Sequence, residues 1–322
     1  MSATAPAEGV DDHPPHLEPS QLGTKEYWES FYDNSLSHLS SKRRKGNKLQ
    51  RDTNQQEDEG NEEDYDSGED EDDDDDDPGT SWFTEHNAPE KVMTFLTSPS
   101  FPLAPCNNQS QSQSQPQPTI LDLGTGNGSM LALLRDEGGF LGGRMVGVDY
   151  SPKSIELARK LHEDDSPAQE NTEGEAIRFE VWDVFDKERD VRKLDWFPAV
   201  GGGFDIVLDK GTFDAISLSA EEVVDVGKGG EDMKGSRVVQ RRVCEQYPGV
   251  VRALVRIGGF LVVTSCNWTE EELIRWFTRR EGGGEAGDRL VVFDRVEYPK
   301  FRFGGQEGQG VCTVCFQRVS GS

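Results

Sequence analysis

The stretch Thr119-Ile-Leu-Asp-Leu-Gly-Thr-Gly-Asn-Gly-Ser129 decides the fold. Thr119 to Leu123 is an apolar run of strand length, and a helix is expected from about Asn127. Between them, Gly124, Gly126 and Gly128 allow a sharp turn and a close approach of backbone to a ligand. The helix N-terminus behind the turn offers free N–H groups with positive partial charge, which suit a carboxylate or phosphate. Further on, Met145-Val-Gly-Val-Asp149 reads as a second strand ending in an acid, and an acid there accepts hydrogen bonds from both hydroxyls of a ribose. Two details argue against a dinucleotide. The third glycine of GxGxxG arrives one residue early, leaving Ser129 in its place. Asp122 precedes the first glycine by two, where it is expected to receive an ammonium group. A nucleoside carrying an amino acid meets both conditions, and S-adenosylmethionine is one. The turn residues Thr125 and Asn127, and Tyr150 beside the ribose acid, join the expected cofactor contacts. Plain turn chemistry is the competing reading; the ordered strand, GxGxG, helix, strand and acid outweigh it.

More strands end in acids. Ile177–Trp182 is followed by Asp183 and Val184, where a carboxylate is expected to accept from the exocyclic amine of adenine. Phe204-Asp-Ile-Val-Leu208 is followed by Asp209-Lys-Gly-Thr-Phe-Asp214, expected beside the methyl donor. For Asp209 and Lys210 a local ion pair competes with a direct catalytic role. Helices are expected from Ser151-Pro152 to about Leu161, from Phe213 to Ser219, largely across Val238–Arg256 with a break at Pro248, and over Glu270–Arg279 capped by Thr269. A fifth strand covers Gly258–Thr264, and two late strands, Leu290–Tyr298 and Gly310–Arg318, form a closing hairpin. Apolar strands alternating with helices indicate an α/β fold, a parallel sheet covered on both faces, with ligand bound beyond the strand C-termini.

Composition bounds the rest. The 322 residues carry a net charge of −27, but Glu57–Asp77 alone holds 16 acids and no base. This is an acidic block beside a core of ordinary composition; it repels nucleic acid and favours basic partners. Residues 1–20 and about 40–80 are expected to be disordered, the latter including Lys42-Arg-Arg-Lys45, which reads as a partner for the neighbouring acids, with a nuclear-localisation or nucleic-acid patch as the competing reading. Between them, Thr24 caps a helix whose Tyr27, Trp28, Phe31 and Tyr32 dock onto the main domain or cover the cofactor. The fold resumes at Trp82-Phe83 and a helix from Pro89 to Leu96, so a catalytic domain is expected over 81–319, with 21–36 belonging to it. A Ser/Gln/Pro run, Asn107–Pro118, and a glycine-rich stretch, Gly227–Gly235, read as insertions. Five cysteines, an odd number, suggest a reducing compartment; Cys312 and Cys315 face opposite sides of a strand and read as packing residues, so no metal is expected. No apolar signal region or 18-residue apolar run exists, so a soluble, cytoplasmic protein and no membrane contact are expected.

Six stretches together carry a family resemblance: Leu22–Trp28, Leu121–Gly128, Gly147–Pro152, Asp209–Ser217, Thr264-Ser-Cys-Asn-Trp-Thr269 and Phe301–Gly305. They resemble the elongation factor 1-alpha lysine methyltransferases over about 22–36 and 81–318. The resemblance implies a Rossmann-like seven-strand methyltransferase sheet of order 3-2-1-4-5-7-6 with the seventh strand antiparallel. It also implies methyl transfer from S-adenosylmethionine to a lysine of that translation factor, by a chain expected to be a monomer. The acidic block and the other insertions depart from the family but interrupt none of the six motifs.

Methyl transfer is an in-line displacement, for which a protein positions the reactants and removes water. Lysine attacks as the neutral amine, and desolvation lowers its pKa whereas a nearby carboxylate raises it. Trp28, Trp82 and Phe213 are expected to wall the site, Asp209 to orient the amine or pass its proton to water, and Asn267 and Trp268 to line the substrate entrance, with ordinary packing as the competing reading for the three tryptophans. The rival readings are methylation of another protein or a small molecule, or a non-catalytic assembly factor on the same fold.

Overall fold

The computed structural model describes residues 13–53, 83, 85–108, 117–162, 176–198, 200–226, 238–279, 287–303 and 306–321. Three helices, α1 (Lys25–Thr53), α2 (Ala88–Thr97) and α3 (Pro105–Asn108), precede the first strand. Strands and helices then alternate: β1 (Ile120–Leu123), α4 (Ser129–Asp136), β2 (Met145–Asp149), α5 (Pro152–His162), β3 (Arg178–Val181), β4 (Phe204–Lys210) and α6 (Thr212–Ser217). A separate antiparallel ribbon, β5 (Glu222–Val226) with β6 (Val238–Arg242), interrupts the alternation. The chain continues through α7 (Tyr247–Leu254), β7 (Val255–Ser265), α8 (Glu270–Thr278) and β8 (Arg289–Val296). A second small ribbon, β9 (Phe301–Phe303) with β10 (Gln306–Gly308), leads to β11 (Cys312–Val319).

The main sheet runs β3-β2-β1-β4-β7-β11-β8. Counting only its own seven strands, this is the order 3-2-1-4-5-7-6 that the resemblance implies, with β11 antiparallel to both neighbours. Every residue of β1 and β2 is buried, as central parallel strands covered on both faces require. Alternate side chains feed two apolar layers. Leu121 and Leu123 join Val207, Tyr247 and Trp276 on one side, while Ile120 joins Met130, Ile155 and Phe260 on the other. Cys312 and Cys315 fall into opposite layers, both buried. Helix α8 starts at a capping box, in which Glu272 N–H donates to Thr269 Oγ1 (3.3 Å) and Thr269 N–H to Glu272 Oε2 (2.9 Å).

Several boundaries differ from the sequence reading. Helix α1 runs to Thr53, past Ser40; its second half carries three lysines and three arginines, which are good helix formers, although Gly46 and Asn47 interrupt them. Residues 13–20 do not stand off the fold: Leu17 packs against the core and its carbonyl accepts from Arg242 Nη1 (2.9 Å). The expected helix Val238–Arg256 divides into β6, a 3-10 turn, α7 and the start of β7; the adjacent β-branched residues Val238 and Val239 pair with β5 across the insertion, and Pro248 lies in the first turn of α7. The expected breaks at 54–80, 109–116 and 227–235, together with Trp82, lie outside the described residues.

Candidate active site

Beyond the C-terminal ends of β1, β2 and β4 lies a cavity of about 680 Å³, within the range of small-molecule sites. The turn after β1 forms its floor. Gly124, Gly126 and Gly128 all take positive φ (59°, 59° and 79°), which explains the GxGxG pattern. A Cβ on Gly124 would lie 2.2 Å from Thr212 Oγ1, so the turn is also pressed against α6. Thr125 holds the turn down from both ends: its N–H donates to Val148 O (3.0 Å) and its hydroxyl to Asp122 Oδ2 (2.7 Å). Asn127 Oδ1 accepts from Ser129 N–H (3.1 Å) where α4 begins.

Asp149 ends β2 on the cavity wall. It accepts from Ser151 N–H (2.9 Å), Ser154 Oγ (2.8 Å) and Gly126 N–H (3.2 Å), and burial raises its pKa above the ordinary carboxylate value. Asp183 faces the same cavity, accepting from Phe185 N–H (2.9 Å) and from Lys25 Nζ (2.7 Å). Lys25 also lies 5.1 Å from the centre of the Tyr150 ring, so one cation on α1 links the second and third strand ends. The aromatic face of α1 completes this side: Trp28, Phe31 and Tyr32 line the cavity, and Trp28 Nε1 donates to Leu22 O (2.8 Å). The Tyr32 hydroxyl sits 3.2 Å from where a Cβ on Gly126 would be, and burial pushes its pKa well up.

The structure brings together Trp28, Gly124, Thr125, Gly126, Asn127 and Asp149 on the cavity wall. Tyr150, Asp183, Val184, Lys210 and Asn267 are there too. It separates others. Asp122 lies buried behind the turn, its Oδ2 accepting from Thr125 Oγ1, and is not among the residues that line the cavity; burial pushes its pKa up to about 6. Gly128 packs under Phe179. Asp209 turns away from the cavity: its Oδ1 caps α6 by accepting from Thr212 N–H (2.9 Å) and Phe213 N–H (3.1 Å), and its Oδ2 accepts from Tyr247 OH (2.7 Å). It therefore holds α6 and does not reach an amine. Phe213 and Trp268 stack at 6.0 Å inside the aromatic core and wall no channel; Trp268 Nε1 donates to Ser217 Oγ (3.2 Å). Lys210 lies between Asp122 and Asp209, its pKa lowered by burial against their opposing charges, with the Phe83 ring 5.6 Å from its ammonium.

Two wall residues escaped the sequence reading. Lys25 gives no sign of its distant partner Asp183. Asp214 stands in the quoted motif without a role; in the fold it lines the cavity and ties α6 to the end of β7 by accepting from Cys266 N–H (2.9 Å) and Ser265 Oγ. Its spacing from Asp209, just over one helical turn, was the available signal.

A methyltransferase domain model matches residues 114–285, which contain the glycine turn and all four strand ends. The chain is 30% identical over 300 residues to protein-lysine N-methyltransferase EFM4 of Saccharomyces cerevisiae, covering 93% of this chain and 96% of that protein. The chain belongs to the elongation factor 1-alpha lysine methyltransferase family. The Schizosaccharomyces pombe member, protein-lysine N-methyltransferase efm4, is 30% identical over 94% of this chain and 95% of its own length. The human member, EEF1A lysine methyltransferase 2, is 27% identical over 94% of this chain and 88% of its own length.

As a methyltransferase of this family, the chain takes S-adenosylmethionine as its donor, and its residues fit that group. Gly126, at φ 59°, leaves bare backbone facing the cavity, and Asp149 and Asp183 set carboxylates on its wall that would accept from ribose hydroxyls and the adenine amine of a bound donor.

Proposed function

We propose that this chain methylates a lysine side chain of translation elongation factor 1-alpha. The observation that carries the reading is one cavity whose floor is the glycine turn with Asp149 and whose rim holds Asp214, Cys266 and Asn267, in a chain of this family. The bound donor supplies an electrophilic methyl group. The chain's own residues do the rest. Trp28, Phe31 and Tyr32 exclude water from one side, which favours the neutral amine. Asn267, with Asp214 beside it on the cavity wall, is the group we assign to orient that amine in place of Asp209, which does not line the cavity.

A net charge of −27 suits a basic protein substrate and disfavours direct nucleic-acid contact. No helix among the described residues is long and apolar enough to cross a membrane. We take the protein to act in the cytoplasm as a monomer, the expectation drawn from its sequence.

The test is transfer of labelled methyl from S-adenosylmethionine to elongation factor 1-alpha, located by peptide mass spectrometry. Label on one lysine, absent with Asp149→Asn, supports the reading. No label from a preparation that binds S-adenosylhomocysteine would refute this substrate and leave the donor site standing.

A further inference from the structure

The segment 13–23 forms a strap that leads into α1 along the surface made by Trp276, Glu245, Arg242 and Leu218. It is fastened at Leu17 by Arg242, at Ser20 by its N–H to Leu218 O (3.1 Å), and at Gly23, where a Cβ would lie 2.2 Å from the Leu218 carbonyl. Its first fastening is chemically different. The His13 ring stacks on Trp276 (4.6 Å, 15°), and the His16 ring stacks on His13 (4.9 Å, 29°). His16 Nε2 lies 3.3 Å from Glu245 Oε1 and His13 Nε2 lies 3.7 Å from Glu245 Oε2.

We propose that His13, His16 and Glu245 bind one zinc ion that clasps the strap to the domain. Two imidazoles and a carboxylate are a zinc donor set, and at bond lengths of ~2.0–2.2 Å a tetrahedral ion holds its ligand atoms roughly 3.3 Å apart. Here one ligand atom from each of the three residues already falls within 4.8 Å of the others. His13 Nδ1 lies 2.7 Å from Pro14 O; donating there leaves Nε2 with its lone pair toward the carboxylate, the outer-shell arrangement typical of a metal-bound imidazole. Glu245 is buried and held in place, its Oε1 accepting from Arg242 N–H (3.0 Å). Arg241 Nη1, 3.5 Å from Oε2, uses a further lone pair of a carboxylate that has about four. His16 is the most exposed of the three and marks the entry side; water takes the fourth position. A protonated histidine–glutamate pair would hold the strap without any ion, and the experiment separates the two.

Full-length protein is titrated with zinc chloride by calorimetry, beside His13→Asn and His16→Asn, neither of which touches the cofactor cavity. The expected result is one tight zinc per chain, weakened at least ~100-fold in either variant. Zinc should also raise the melting temperature of the native chain and slow hydrogen exchange over 13–36, with neither effect in the variants. Cobalt substitution should give a visible spectrum without a thiolate charge-transfer band. Equal zinc affinity in the native chain and both variants, or a thiolate band, which assigns the metal to a cysteine, would overturn the proposal.

Discussion

Asp149 and Asp209 both end strands and both are buried, yet their neighbours give them different work. Asp149 joins the cofactor turn, through Gly126, to the start of α5, through Ser151 and Ser154, and lines the cavity, whereas Asp209 spends its hydrogen bonds on α6 and Tyr247. Asp149→Asn keeps the shape but loses the charged acceptor. Its affinity for S-adenosylhomocysteine, measured by calorimetry, should fall about 10–100-fold, since hydrogen bonds to a charged group are worth about 1.5–3 kcal/mol each. Asp209→Asn should leave that affinity nearly unchanged and alter pH dependence instead. Burial pushes Asp209 up from 3.8 to about 7, so the native state keeps a proton that the unfolded chain releases. Stability contributed in the protonated form is therefore present below about 4 and is lost as pH rises to about 7; Asp122, pushed up to about 6, acts in the same direction. Urea unfolding at about pH 5 and pH 8 should show a smaller pH difference in Asp209→Asn than in the native chain. An unchanged difference would move the titration elsewhere. The strand-end position of each acid was legible in the sequence; its direction was not, although Gly211-Thr212-Phe213 after Asp209 is a helix start whose N–H groups close back on the acid.

Elements differ in how much of their cause is local. Strands β1, β2, β4 and β7 are legible because an unbroken apolar run is buried whatever its partners are. The β5–β6 ribbon and the strap were missed because their partners lie far off in sequence: Arg242 joins Leu17, 225 residues away. Helix α8 is the local extreme. Thr269→Ala removes its capping box and should cost about 1 kcal/mol, lowering the melting temperature by ~2–4 °C. Helix α1 is the opposite case, since its first turns rest on the cavity and on Asp183. Bound S-adenosylhomocysteine should slow amide exchange in Lys25–Leu36 more than in α8, and exchange unmoved by ligand would detach α1 from the site.

At the scale of the whole molecule, charge is set unevenly: 16 of the acids lie in Glu57–Asp77. Long-range attraction for a basic substrate should therefore weaken with salt. Raising ionic strength from about 0.05 to 0.5 M should raise KM for the protein substrate severalfold, and deleting 57–77 should flatten that response without changing kcat. An equal response in the deletion would assign steering to the folded surface.

Strand β11 is the last of the seven in the chain but lies inside the sheet, hydrogen-bonded to β7 on one side and β8 on the other. During synthesis, then, six strands leave the ribosome before the one that joins β8 to the rest. Until it arrives, β7 and β8 each present an open edge of the kind that pairs with other chains. Ribosome-stalled chains ending before Val311 should be protease-sensitive and prone to aggregate, and those extended beyond Val319 should become resistant in a single step. The domain thus has little scope for folding piece by piece as it emerges, and its nascent form is a natural client for chaperones.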